Sequence, residues 1–197
     1  MAFIALLVEG NLDETMARRI VEYAGGEVTV TYGKKGAGYI KNKIAGFNQL
    51  AQGTTILALA DLMDTGSECP VEVLEEWLPH PSENMIFRLV ICEIESWIMA
   101  DRAGIARFLG VRKQDIPPHP ERVDDPKRRL VNMARASRFA GVKRLLVPAP
   151  SSTATVGPAY TSEVQQFVRD RWNIERAMER SPSLRRCVRA VQHHVEE

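Results

Sequence analysis

Three groups of carboxylates stand at equivalent places along this 197-residue chain. Glu9 follows the apolar run Ala2 to Val8, Asp61 and Asp64 follow Thr54 to Ala60, and Glu93 with Glu95 follows Met85 to Ile91. Such runs suit strands buried on both faces of a parallel sheet, and the carboxyl ends of those strands share the edge where open α/β sheets bind ligands. The groups are therefore expected to meet. Gathered carboxylates repel one another, and a bound divalent cation or a proton held by a raised pKa relieves the repulsion. Oxygen donors with no histidine beside them suit Mg²⁺ (or Mn²⁺) and disfavour zinc, and an ion of that kind bridges to phosphate oxygens. The expected metal ligands are Glu9, Asp61, Asp64, Glu93 and Glu95.

An acidic residue after a strand can also be only a helix cap or a first-turn charge, and Asp64 or Glu93 need do no more than that. Glu9 and Asp61 make the stronger pair, because both follow wholly apolar strands and Gly10 lets the backbone approach closely. Glu93 and Glu95 diverge if they stand on a helix, so that only one faces the site. They share a face if the strand continues through them.

The elements that must position these residues follow from periodicity. Asn11 is the expected helix cap, and Met16, Ala17, Ile20, Val21 and Ala24 recur at helical spacing before Gly25-Gly26. Val28 to Tyr32 reads as a second strand, a helix then runs to about Gly53, and Cys69-Pro70 opens a short helix to Leu78. Strands alternating with helices predict an α/β fold, with a mostly parallel sheet flanked by helices and right-handed crossovers. Beyond Asp101 the chain becomes Arg-rich and helical, with helices from Pro126 to about Phe139, Tyr160 to Arg171 and Pro182 to Val195. Leu145 to Val147 is a candidate further strand. Two regions result: an α/β core over 1–101, and a basic, mainly helical region over 102–197 packed on it.

The net charge of +1 conceals an asymmetry. Residues 1–101 carry 7 Lys and Arg against 15 Asp and Glu, and residues 102–197 carry 19 against 10. An acidic half can hold a metal ion while a basic half meets a phosphate backbone, so a nucleic-acid partner is expected, with DNA the first candidate. Lys34 and Lys35, in the loop Gly33 to Gly38, can approach a phosphate, or the loop is a solvated turn. Arg128, Arg129 and Arg135, on one predicted helix, can contact phosphates or pair with the acidic half. Trp77, Trp97 and Trp172 read as core anchors.

Several classes are disfavoured. The longest apolar runs fall far short of the ~20 residues of a membrane-spanning helix. The start resembles no secretory leader, so a cytoplasmic location is expected. Cys69, Cys92 and Cys187 are odd in number and lack metal-site spacing. A Walker A loop and a Gly-x-Ser-x-Gly elbow are both missing, and Tyr32, Tyr39 and Tyr160 are rejected as phosphotyrosyl nucleophiles.

Leu7-Val8-Glu9-Gly10 followed by Asp13, then Leu57-Ala58-Leu59-Ala60-Asp61, resembles the Toprim fold of topoisomerases, primases and overcoming-lysogeny-defect nucleases. Glu93-Ile94-Glu95-Ser96-Trp97, Ala100-Asp101, Asp125-Pro126-Lys127 and Ser181-Pro182-Ser183-Leu184 extend the likeness to the uncharacterised DUF4276 proteins. The resemblance implies a Toprim-like, Rossmann-like sheet and Mg²⁺-dependent phosphodiester cleavage, with Glu9 and Asp61 as catalytic residues. It departs at Met63, which stands where the second Asp of Asp-x-Asp belongs, one residue before Asp64. The resulting expectation is a nuclease subunit, with any ATP coupling supplied by a separate ATPase in phage defence or DNA repair, and with oligomers allowed. The alternatives are a non-catalytic Toprim-like interaction module and a Mg²⁺-dependent phosphohydrolase acting on a small metabolite.

Overall fold

The computed structural model describes Ala2 to Glu196 and divides into two compact units. The first contains the chain through Ile91 together with the C-terminal segment from Ser183, and the second runs from Cys92 to Pro182. The division therefore falls at Cys92 rather than after Asp101, and the last helix belongs with the acidic first unit. Charge composition changes later than packing does, because Ile94 to Ala100 is uncharged apart from Glu95 yet belongs wholly to the second unit.

In the first unit, strands β1 (Phe3–Val8), β2 (Glu27–Gly33), β3 (Thr55–Asp61) and β4 (Met85–Val90) form one parallel sheet in the order β2-β1-β3-β4. Helices α1 (Asn11–Tyr23), α2 (Ala37–Leu50) and α3 (Pro70–Trp77) are the crossovers. The expected α/β architecture with a parallel, Rossmann-like sheet is present. β1 and β3 are central and bury nearly every side chain, which is why they read as unbroken apolar runs, whereas β2 is a half-exposed edge.

Ala5 and Leu7 of β1, Ile56, Ala58 and Ala60 of β3 and Phe87 of β4 pack with Ile40 and Ile44 of α2 and Val73 and Trp77 of α3. The opposite sheet face is closed by the buried stripe Met16, Ala17, Ile20 and Val21 of α1. Gly10, not Asn11, occupies the cap position of α1 and supplies no side-chain cap; Asp13 and Glu14 in the first turn suit the positive helix end instead. After Ala24 the chain reverses through Gly25 at φ +86°.

The second unit is helical: α4 (Ile94–Ala100), α5 (Arg102–Leu109), α6 (Pro126–Arg135), α7 (Ala140–Leu146), α8 (Tyr160–Asp170) and α9 (Ile174–Met178); α10 (Pro182–Glu196), which follows, belongs from Ser183 onward to the first unit. The strand expected at Leu145 to Val147 is not formed. Leu145 and Leu146 end α7, since they continue a helical turn and their carbonyls accept from Ala159 and Gly157 rather than from a neighbouring strand. The helix expected to reach Phe139 stops at Arg135, where Ser137 takes over the backbone bonding by accepting from the Phe139 N–H. Trp97 and Trp172 are buried here as expected, with the Trp172 indole N–H donating to the Trp97 carbonyl at 3.3 Å.

Candidate functional site

Strand order decides where a site can form. From β1 the chain crosses to β2 on one side and then returns past β1 to β3 on the other, so the connections out of β1 and β3 part at the carboxyl end of that pair. A crevice opens at such a switch point. Glu9 follows β1 directly and Asp61 is the last residue of β3, so the topology delivers both carboxylates to this crevice.

The two residues are in direct contact. Glu9 Oε1 accepts the backbone N–H of Asp61 at 2.8 Å, and the Glu9 carboxylate also accepts from the N–H of Ala37, the first residue of α2. Glu9 and Asp61 are both buried, at 9% and 7% exposure. Burial pushes the Glu9 pKa up to about 7, the two backbone N–H groups pull it down, and the negative charges of Asp13 and Asp64 push it up further. The mouth of α2 is open, for a side chain added at Gly36 or Gly38 would meet nothing within 4 Å.

Asp64 lies in a single 3-10 turn, Leu62–Thr65, immediately after β3. The turn leaves it exposed but keeps its charge within reach of Glu9, whereas a continued strand would have turned it away. Met63 is 43% exposed in the same turn. Asp13 is a member of this cluster that the residue pattern did not single out as a ligand. It is buried, and a Cβ at Gly10 would sit 3.2 Å from its Oδ2. Its position on the inner side of the first turn of α1 was the available signal.

Among the described residues, no three His, Cys, Asp or Glu side chains converge as a ready-made metal centre. The donors at the crevice are all carboxylate oxygens. That chemistry fits an ion such as Mg²⁺, which is commonly held by one or two carboxylates, several waters and substrate phosphate, rather than one that needs a closed protein cage.

Lys34 and Lys35, expected to approach phosphate, are engaged locally. Lys34, at φ +60°, pairs its ammonium with Glu14 at 2.5 Å, while Lys35 lies over the Tyr39 ring at 5.3 Å from its centroid. The pairing with Glu14 costs Lys34 some of its availability to an anion. Thr31 and Arg18 bond to the same Glu14 carboxylate, and together with Lys34 they hold its pKa below the usual range against the opposing effect of burial.

Glu93 and Glu95 belong to the second unit and are bonded within it. Glu93 stands in extended backbone at the N-terminus of α4 and Glu95 in its first turn, so the strand does not continue through these residues, yet both carboxylates come to the same Lys127 ammonium. Glu93 accepts from the Lys127 backbone N–H at 3.0 Å and from its Nζ at 2.9 Å. Glu95 is fully buried, accepts from the Tyr160 hydroxyl at 3.0 Å, and lies 3.9 Å from Lys127 Nζ. Its Oε2 has no hydrogen-bond partner. Burial pushes the Glu95 pKa up to about 7, with Lys127 pulling it down and Glu93 pushing it up. Tyr160 is thus a carboxylate partner, an assignment unreachable from sequence because 65 residues separate the two.

Asp101 anchors the same unit. It is wholly buried, accepts Arg176 Nε and Nη2 at 2.8 Å each, and takes the backbone N–H groups of Gly104 and Asn173. Arg128, Arg129 and Arg135 are exposed on α6, with Arg129 reaching the Asp115 carbonyl at 3.2 Å. A separate basic groove of about 670 Å³ in this unit is lined by Arg107, Arg112, Lys113 and Arg138, with Arg112 paired to Asp115. No helix among the described residues is long and apolar enough to cross a membrane.

Comparisons with protein-family models, with curated proteins and with solved structures find no match for this chain, so its functional reading rests on the residues and geometry described above.

Proposed function

We propose that this chain is a Mg²⁺-dependent, Toprim-like nuclease subunit that cleaves nucleic-acid phosphodiesters at the crevice containing Glu9 and Asp61. The observation that carries this reading is the buried Glu9 carboxylate, bonded to the Asp61 N–H at the β1–β3 switch point, where burial pushes its pKa up to about 7. In the metal-free chain a carboxyl with a pKa near the working pH can hold or release a proton at its oxygen, and on ionising it becomes a ligand for a cation.

Asp61 and Glu9 would hold the ion, with Asp13 and Asp64 adding to the negative field that attracts it. The ion would supply Lewis-acid polarisation of a phosphoryl oxygen. The N-terminus of α2, at the same crevice, favours the phosphate through its dipole, the Ala37 N–H being held by Glu9 itself. The exposed arginines of α6 and the Arg107–Arg138 groove are suited to backbone phosphates, a contribution to affinity without sequence preference. Coupling to ATP would be supplied by a separate ATPase polypeptide.

The test is cleavage of plasmid DNA and of single-stranded DNA and RNA with Mg²⁺ or Mn²⁺, comparing the parent with Glu9→Gln and Asp61→Asn. Each variant is expected to lose roughly a hundredfold or more of the rate. Variants that cut like the parent would overturn the roles assigned. A parent that binds no Mn²⁺ would favour the non-catalytic interaction module. Metal-dependent hydrolysis of small phosphate esters, with no salt-sensitive affinity for nucleic acid, would favour the metabolite phosphohydrolase.

A further inference from the structure

β4 is an edge strand: β3 pairs with one side of it, and among the described residues its other side pairs with no strand. The Ile56 N–H donates to the Asn84 carbonyl, so the residues from Asn84 onward at every second position direct their backbone groups toward β3. Phe87 and Leu89 therefore turn their N–H and C=O groups outward. The Phe87 carbonyl confirms this direction, since it accepts the Arg88 Nη1 at 3.0 Å around the open edge.

This edge floors a groove of about 660 Å³. One wall is apolar and comes from α3, with Val71 exposed and Leu74 beside it. The other is basic and comes from α10, with Arg186 and Arg189 both exposed. Arg88 adds a third guanidinium, whose Nε is buried with no hydrogen-bond partner. Strand edges are usually blunted or covered; here the Phe87 and Leu89 side chains are buried, at 3% and 7% exposure, and the Phe87 carbonyl is taken by Arg88, but the outward N–H groups along the groove meet no strand among the described residues and the guanidinium beside them is under-satisfied.

We propose that the outer edge of β4 accepts an acidic, extended peptide segment of a partner protein as a fifth strand. Backbone pairing to Phe87 and Leu89 would supply register-independent affinity, and the two walls would supply specificity. Alternate side chains of an added strand point to opposite sheet faces, so the matching segment alternates apolar residues toward Val71 and Leu74 with Asp or Glu toward Arg186 and Arg189. Charge excludes a second copy of this chain, because β4 against β4 would bring the two Arg88 groups together. A nucleic-acid strand has the required charge, but it cannot satisfy outward N–H and C=O groups as a ladder or use the apolar wall. The proposal is independent of the phosphodiesterase reading.

The test uses the full chain, isotopically labelled, titrated with an acetylated and amidated octapeptide of alternating Glu and Val, and with its Lys-Val counterpart. Expected are shift changes and slowed exchange at the Phe87 and Leu89 amides with the Glu-Val peptide only. The double variant R186E/R189E, altered only at exposed positions, is expected to bind it roughly tenfold more weakly. Equal binding of both peptides, or an unaffected R186E/R189E chain, would overturn the proposal. So would protection of the same amides that grows with protein concentration alone, or displacement of the peptide by oligodeoxythymidylate with the same amide pattern.

Discussion

The backbone N–H of Asp61 donates to the carboxylate of Glu9 across 2.8 Å, joining the ends of two neighbouring parallel strands through residues 52 positions apart. The contact uses the backbone of one acidic residue to hold the side chain of the other. It leaves the Asp61 carboxylate at the crevice beside a carboxyl that burial keeps partly protonated near neutral pH.

Stability should fall with rising pH through this group. The folded pKa of Glu9 lies at about 7, above its ordinary value of 4.5. Its contribution is therefore complete below about pH 4.5 and is lost as pH rises through 7, a loss of about 3 kcal/mol. Glu9→Gln removes the titration, so urea melts should show the variant gaining on the parent between pH 5 and pH 8. A constant difference between the two across that window would refute the assignment.

Divalent ions should act on the same balance. Mg²⁺ or Mn²⁺ at millimolar concentration is expected to raise the melting temperature of the parent at pH 8, where Glu9 is ionised, and to do little at pH 5. Asp61→Asn should abolish the response. Differential scanning calorimetry checks this without any assay of activity, and an equal shift in the variant would place the ion elsewhere.

Asp101 makes the opposite prediction. Burial alone would raise its pKa, but the bonds from Arg176, Gly104 and Asn173 outweigh burial and hold it below the ordinary value. A depressed carboxylate contributes stability above its unfolded pKa and loses it as pH falls through the folded value, so the loss should appear only under acid conditions below about pH 4. Asp101→Ala should cost about 2 kcal/mol at pH 7, a figure discounted because Arg176 is 40% exposed. Chemical denaturation at pH 7 and pH 3 measures both, and the variant's deficit should shrink at the lower pH.

Tyr160→Phe isolates the buried carboxylate of the second unit. The Tyr160 hydroxyl favours the charged form of Glu95, so its removal raises the Glu95 pKa above the present value of about 7. The variant should be destabilised by about 1–2 kcal/mol, more at pH 8 than at pH 5. Equal losses at the two pH values would show that the hydroxyl acts by packing alone.

Gly33 is the sharpest backbone constraint near the crevice. It sits at φ +93°, and a Cβ there would fall inside contact distance of the Val8 carbonyl, which also accepts the Lys34 N–H at 2.7 Å. Gly33→Ala should cost about 2 kcal/mol or more and disturb the end of β1 that precedes Glu9. Thermal melts, with exchange at the Lys34 amide, test this.

The sequence by itself determined which segments of the first unit are strands and which are the crossover helices between them, and it placed Glu9 and Asp61 at strand ends, because apolar runs and helical spacing are local patterns read within a few residues. It also marked the tryptophans as core. Only tertiary structure decided what each charged side chain touches. Lys34 meets Glu14, Glu93 meets Lys127, Glu95 meets Tyr160, and Asp13 joins Glu9 through the entry of α1. The boundary at Cys92, the helical state of Leu145 and Leu146 and the open edge of β4 were likewise hidden. Strand order and the bonding of side chains depend on contacts between residues far apart in the chain, whose energies no local periodicity encodes.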